Sequence, residues 1–336
     1  MTSFLNSREL DVSIRILSSG AALPEKILKN SDLEKMVETS DAWIVKMTGI
    51  QERHILSDTE SFSSLTLKAA KIALERAHIT AEDINMIALG TSTPESIMPS
   101  SACILQGLLG IKECISLDLQ AACSGFVYAL VTTYYFMLSN PNIRYALVMG
   151  CDALSKITNW SDRATCVLFG DGFAGLVLEN NPQAKSPGIL YCGLGSDGTG
   201  KSHLNVCWGI GQGYEKSNET NHYIYMNGRE VFRTSVNYFS QLILDSLEKS
   251  KLNFEDVDWI ITHQANIRII HAVAEKLNIS KEKLVVTLDK HGNTSAASIP
   301  LAFNHLLEEK KIKHGDKVMF VGFGAGYTWG VVIFQF

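Results

Sequence analysis

The sequence predicts an α/β protein built from two duplicated halves, each a mostly parallel sheet covered by helices. Three observations predict it. Short, continuously apolar strands alternate with amphipathic helical segments along the chain. Landmarks of the first half return in the second at a nearly constant displacement. The segment AACSGFVYALVTTYY, Ala121 to Tyr135, carries no charge, as a helix enclosed between two sheets requires.

Taken in order, LTLKAAKIALERAHI (65–79) has helical apolar spacing and leads into the strand EDINMIAL (82–89). FSQLILDSLEKSKL (239–252) leads likewise into EDVDWIIT (255–262), with Glu82 and Glu255 displaced by 173. Next, ISLDL (115–119) matches VTLDK (286–290), with Asp118 and Asp289 displaced by 171. Each strand runs into a small-residue turn and a new helix. Finally YALVMG (145–150) matches KVMFVG (317–322), with Gly150 and Gly322 displaced by 172. The break near Asn180 to Ser186 divides the chain into a first half, 1–180, and a second, 181–336. Residues 199–225 are glycine-rich and polar and read as an excursion from the second half. Val318 to Phe336 is uncharged and long enough to cross a bilayer, but its four glycines and β-branched residues predict a strand, a glycine turn and a strand.

The chain has 336 residues, 46% hydrophobic and 19% charged, with a net charge of −5, which excludes a disordered chain and offers no global attraction for nucleic acid or anionic lipid. Seven cysteines with no Cys-x-x-Cys argue against a disulfide framework or a zinc site and for a reducing, cytoplasmic setting. The first twenty residues do not read as a secretory signal.

Candidate chemistry gathers at the turns. Cys123 lies at a strand-to-helix elbow, where helix N–H groups and the positive dipole end favour a nucleophilic thiolate. His263 follows the strand WIIT, at the C-terminal strand end where α/β sheets bind ligands. Asn293 lies at the elbow that duplicates the one holding Cys123. Pseudo-twofold packing of the halves would bring all three to one cavity. The backbone of the glycine turn at 322–330, with the N–H of Cys123, is placed to form an oxyanion hole. The neighbouring His291 falls before its turn and reads as structural.

The set TSDAWIVKMTGIQERHI (39–55), AACSGF (121–126), YALVMGCDAL (145–154), FGDGFAG (169–175), MNGREVF (226–232), THQANIRII (262–270), TLDKHGNTSAASIP (287–300) and FGAGYTWG (323–330) resembles the β-ketoacyl-[acyl carrier protein] synthase III family of the thiolase superfamily, over nearly the whole chain. The leading residues, about ten of them, read as an extension. The resemblance implies a thiolase-like fold of two βαβαβαββ halves stacked as a five-layer α-β-α-β-α sandwich. It implies a ping-pong reaction. Acyl-CoA acylates Cys123, malonyl-acyl carrier protein loses CO2, and the enolate attacks the acyl-cysteine to start fatty acid biosynthesis.

In that scheme His263 and Asn293 donate hydrogen bonds to the thioester oxygen, and the backbone of Cys123 and Ala325 forms the oxyanion hole. Trp43 and Arg163 flank the CoA adenine. Gly228 and Asn266 follow the pantetheine arm, and Phe323 belongs to the substrate site. Arg233, Arg268 and Lys276 form a docking patch for the acidic carrier protein. A homodimer is implied, with Met98 reaching the partner's primer pocket. No cofactor or metal is implied beyond the CoA thioester substrate. Met47 and Gln51 stand where relatives often carry Arg, Arg229 where some carry Asn, and Glu275 where the patch has a base.

Rival readings fare less well. A thiolase needs a second cysteine in the C-terminal glycine turn, and none follows Cys207. A 3-hydroxy-3-methylglutaryl-CoA synthase needs a general-base Glu, for which Glu95 is the one carboxylate in the right loop. A papain-like hydrolase would not duplicate its halves. A specialised condensing enzyme of secondary metabolism, using the same three residues, is the closest alternative, and an idle binding scaffold is the alternative from another class.

Overall fold

The computed structural model describes residues 13–184, 188–213, 215 and 222–336. The leading extension lies outside the described residues, as do 185–187 of the break between halves. The first half runs β1 (Ile14–Ala22), α1 (Phe62–Ala77), β2 (Ile84–Gly90), α2 (Ser101–Leu108), β3 (Ile115–Leu119), α3 (Gly125–Ser139), β4 (Tyr145–Ala153) and β5 (Asp171–Asn180). Its sheet has the order β1-β5-β4-β2-β3. The second half runs β6 (Ile189–Ser196), α4 (Gly228–Ser250), β7 (Trp259–Thr262), α5 (Ile267–Leu277), α6 (Ser298–Glu308), β8 (Lys317–Gly324) and β9 (Thr328–Gln335). Its sheet has the order β7-β8-β9-β6.

Two expectations need correction. The sheets are mixed rather than mostly parallel. β2 pairs parallel with β3 and β4, and β7 with β8. The pairs β1–β5, β4–β5, β8–β9 and β9–β6 are antiparallel. Only residues 325–327 separate β8 from β9, too few for the crossover that a parallel neighbour needs.

The second half also lacks the strand expected at 286–290. A single bridge, Ile260 to Leu284, is all the ladder that forms. The side chain of Gln264 takes its place: Nε2 donates to the carbonyls of Thr262 and Val285, and Oε1 accepts from the N–H of Thr287. An amide thus supplies the pairing that a strand would, leaving the backbone groups satisfied.

The layers follow from which faces are apolar. In α1 the buried residues Leu65, Ala69, Ala73 and Leu74 face the first sheet, and Ser61 caps the helix by accepting from Ser64 N–H. Helices α1 and α2 cover the outer face of the first sheet, and α4 covers the outer face of the second with α5 packed beside it. Between the sheets lie α3 and α6, each touching strands of both. Phe126, Val127, Leu130, Val131, Tyr134 and Met137 of α3 are all buried. Residues 122–139 are apolar enough to cross a bilayer, but here 56% of the stretch is buried inside the protein. Fully burying a side chain such as Leu130 contributes about 1.5–3 kcal/mol, so this central layer holds the halves together. The elbows preceding α3 and α6 meet there.

Candidate active site

Each elbow is a short 3₁₀ turn, Ala122–Ser124 before α3 and Ser295–Ala297 before α6. Each opens with a left-handed residue, Ala122 at φ 46° and Ser295 at φ 50°. The two are displaced by 173, as Glu82 and Glu255 are, so Ala296 is the counterpart of Cys123. Cys123 therefore sits in the 3₁₀ turn rather than in the first turn of the α-helix. The turn is pinned to the C-terminal hairpin: Thr328 Oγ1 donates to the carbonyl of Ala121 at 2.8 Å, and Ser124 Oγ lies 2.7 Å from Thr328 Oγ1. Gly324 makes the approach possible, because a Cβ there would stand 2.7 Å from the backbone nitrogen of Cys123.

One cavity of about 980 Å3 is lined by Cys123, His263, Asn293, Phe323, Ala325 and Ser295. The structure thus brings together the three residues singled out from sequence. Cys123 keeps partial exposure to the cavity, but burial pushes its thiol up to about 12, opposed by the hydrogen bond from Ser295 and reinforced by the nearby Asp152. Burial thus works against the thiolate that the elbow's N–H groups favour. Ser295 Oγ lies 3.4 Å from Cys123 Sγ.

His263 is 4% exposed, and burial lowers its pKa to about 3, so the ring is neutral. Its Nδ1 is 2.7 Å from Ser298 Oγ, and that oxygen already accepts from the N–H of Gln264. Ser298 Oγ can donate to Nδ1, and in that tautomer the ring proton sits on Nε2. Asn293 is oriented in the same way. Its Oδ1 accepts from the N–H of Ser295 at 2.9 Å, leaving its NH2 as the unassigned end. Both groups are thus neutral donors, the kind that stabilises charge developing on a substrate oxygen.

The remaining residues divide. Trp43, Gly228 and Asn266 line the same cavity. Arg163 lies on Trp43, with its guanidinium carbon 4.9 Å from the ring centroid, and donates to the carbonyl of Glu38. A ring held between them needs two contact distances, about 7–8 Å, so this pair is closed on itself and Arg163 must swing aside to flank an adenine. Asn266 has both amide ends engaged, Oδ1 by the N–H of Arg268 and Nδ2 on the carbonyl of Met47. Met98 is 80% exposed and lies outside the cavity lining. In the docking patch, Arg233 pairs with Glu230 at 2.7 Å, Lys276 donates to Asn237, and Arg268 lies over the ring of Phe232. His291 is mostly enclosed and lowered to about 4 by burial, beside His54. Among the described residues no group of three His, Cys, Asp or Glu side chains is spaced to hold a metal ion.

Sequence reading missed Ser295, Ser298 and Asp152. The signal was the displacement of 173, which sets Ser295 opposite Ala122, and Ser298 and His263 opposite Gly125 and Gly90. Asp152 was visible as the one charge in the strand YALVMGCDA.

A half-buried cysteine at the joint of two duplicated α/β halves, sharing its cavity with a histidine and an asparagine, defines a thiolase-fold condensing acyltransferase. Models of the 3-oxoacyl-[acyl-carrier-protein] synthase III family match residues 117–198 and, for its C-terminal part, 247–336. The chain is 47% identical to the β-ketoacyl-[acyl-carrier-protein] synthase III of Listeria innocua, covering 95% of this chain and 98% of that one. It is 44% identical to that of Alkalilimnicola ehrlichii, covering 96% and 99%. The crystal structure of 3-oxoacyl-[acyl-carrier-protein] synthase III from Aquifex aeolicus superposes with a TM-score of 0.90 at 40% identity, covering 96% of this chain and all of that one. The chain belongs to the β-ketoacyl-[acyl-carrier-protein] synthase III family, and is a condensing acyltransferase of fatty acid biosynthesis.

Proposed function

We propose that the chain condenses an acyl-CoA primer with malonyl-[acyl carrier protein], releasing CO2 and CoA and giving 3-oxoacyl-[acyl carrier protein]. The observation that carries this reading is the convergence of Cys123, His263 and Asn293 on one cavity, with Nδ1 of His263 held by Ser298 and Oδ1 of Asn293 held by the N–H of Ser295, so that Nε2 and the NH2 are the ends left for a substrate oxygen. Cys123 accepts the acyl group. The thioester oxygen of the second substrate then lies against Nε2–H of His263 and the NH2 of Asn293, which stabilise the enolate as CO2 departs. The backbone N–H groups of Cys123 and Ala325 receive the oxyanion formed when the enolate attacks. Trp43, Arg163, Gly228, Asn266 and Phe323 line the path of the CoA and pantetheine chain. Arg233, Arg268 and Lys276 meet the carrier protein.

A homodimer is part of the same reading. Strand β3 is at an edge of its sheet, and Ile97, Met98, Leu108 and Ile115 leave apolar surface exposed beside it. We read residues 1–180 and 181–336 as the two units and the cytoplasm as the compartment.

Incubating acyl-CoA and malonyl-[acyl carrier protein] with the protein and with Cys123→Ala checks the reading. The wild type should form an acyl adduct by intact mass and release 3-oxoacyl product, and Cys123→Ala should form neither. A wild type that forms no adduct across a panel of acyl-CoA chain lengths would refute it.

A further inference from the structure

The polar excursion is tied to the C-terminal glycine turn by one pair of side chains. Nδ1 of His203 lies 2.8 Å from the hydroxyl of Tyr327, with the ring centroids 5.9 Å apart. Tyr327 is buried and held from several sides. Its N–H donates to the carbonyl of Asp197, and its carbonyl accepts from the N–H of Asp197 at 2.8 Å. That exchange carries the β9–β6 ladder one pair beyond Thr328 and Ser196. The Tyr327 ring stands 5.0 Å from that of Phe323, centroid to centroid, and leaves no room for a Cβ at Gly200. Tyr327 is therefore a fixed post, two residues from Ala325 of the cavity lining.

His203 carries the bond into the cavity wall. Its carbonyl accepts from the N–H of Asn227 at 2.7 Å, and Asn227 caps α4 immediately before Gly228. Leu204 follows it and opens the short strand Leu204–Val206, which pairs antiparallel with Ile224–Met226. Leu204, Val206, Ile224, Met226 and Gly228 all line the cavity. On its other side the strand Ile224–Met226 packs on the turn Arg163–Cys166. The wall thus runs from the Arg163 turn to the glycine turn, and the His203 ring fastens its second end. We propose that His203 and Tyr327 are positioning residues that hold this wall in place for the pantetheine arm of both substrates. The proposal rests on the reading above, in which that arm passes Gly228. An arm that meets a wall already in place spends no binding energy on ordering it. The bonds that orient His263 and Asn293 come from Ser298 and Ser295, so the clasp acts on binding and leaves the reacting groups as they are.

Tyr327→Phe is the informative variant, because it deletes the hydroxyl and keeps the ring with its packing. KM for acyl-CoA and for malonyl-[acyl carrier protein] should each rise about fivefold, the worth of one hydrogen bond, with kcat nearly unchanged. Acylation of Cys123 by an acyl-N-acetylcysteamine, which carries only the thiol end of the arm, should keep the wild-type rate. His203→Ala should reproduce both results, and the two changes together should cost no more than either alone. Hydrogen exchange of the backbone amides at 204–206 and 227 should quicken in both variants. Wild-type KM values, an equal slowing with the truncated thioester, or additive losses in the double variant would overturn the clasp. If the wild type takes no acyl group from any acyl-CoA, the substrate reading fails, and the exchange rates alone decide the clasp: quickened amides uphold it and unchanged ones sink it.

Discussion

The hydroxyl of Ser298 lies 2.7 Å from Nδ1 of His263, at the place where the first half sets one glycine against another. The counterparts at the displacement of 173 are Gly125 and Gly90, and a Cβ at Gly90 would stand 2.4 Å from the carbonyl carbon of Gly125. One contact between a strand end and a helix start thus serves twice. In the first half it closes the packing, and in the second it holds a ring in one orientation.

Removing that hydroxyl should free the ring. Ser298→Ala leaves Nδ1 without its donor, so both tautomers become populated and Nε2 loses its proton part of the time. Decarboxylation of malonyl-[acyl carrier protein] should fall about tenfold, the worth of one hydrogen bond. Acylation of Cys123 should hold, since Ser298 does not touch the sulfur. Steady-state CO2 release set against intact-mass acylation separates the two, and an equal fall in both would refute this division.

Gly90→Ala should destabilise the fold without altering any group in the cavity. The new methyl meets backbone atoms of Gly125 and Phe126 at 2.4–2.7 Å, and neither can rotate away. Overpacking of this kind costs about 1–3 kcal/mol. Urea unfolding should show the midpoint falling with the slope unchanged.

His263 should leave no mark on the pH–rate profile near neutrality. Its folded pKa of about 3 keeps it neutral across the working range, whereas a free imidazole would titrate near 6.5. Decarboxylation in a Cys123→Ala background should therefore show no inflection between pH 6 and 7. The stability counterpart has a definite sign. His263 and His291, lowered to about 3 and about 4, bind fewer protons folded than unfolded. Their contribution is complete above about 6.5 and is lost as pH falls toward those values. Unfolding midpoints measured from pH 7 to 4 should decline, and less steeply in His291→Asn.

The stack of Arg163 on Trp43 predicts a gated entrance for the CoA substrate. CoA should displace the guanidinium, and Trp43 fluorescence should change on adding CoA to the wild type but much less in Arg163→Ala. Because that cation–π contact, worth about 0.5–1 kcal/mol at an exposed site, must break for CoA to enter, Arg163→Ala should lower KM for acyl-CoA a few-fold with kcat nearly unchanged. A large fall in kcat would mean that Arg163 acts nearer the reacting atoms.

Much of this was legible in the sequence. Constant displacements gave the duplication, the uncharged run at 121–135 gave the enclosed helix, and the two elbows gave Cys123 and Asn293. The sense of the strands was less legible, because apolar runs look alike whichever way they pair. The missing strand near 286 was hidden because a side chain, Gln264, fills in for a backbone. The environment of Cys123 was only half legible: a helix-end dipole can be read from sequence, whereas the desolvation that opposes it depends on everything packed around the sulfur. The docking patch of Arg233, Arg268 and Lys276 came from resemblance alone, and the pairing of Arg233 with Glu230 one turn away depends on rotamers that spacing does not give.

The hydrogen bond from Ala296 to Asp152 has a consequence for what the duplication can become. Ala296 stands where the other half has its cysteine. Asp152 is itself the counterpart of Gly324, at a displacement of 172, and Gly324 is the glycine that lies against the Cys123 amide. In one half that amide is the one proposed above to meet a substrate's transient negative charge. In its twin, a resident carboxylate already fills the berth. Installing a thiol at 296 would therefore create no second reaction centre, and loading should stop at one acyl group per chain.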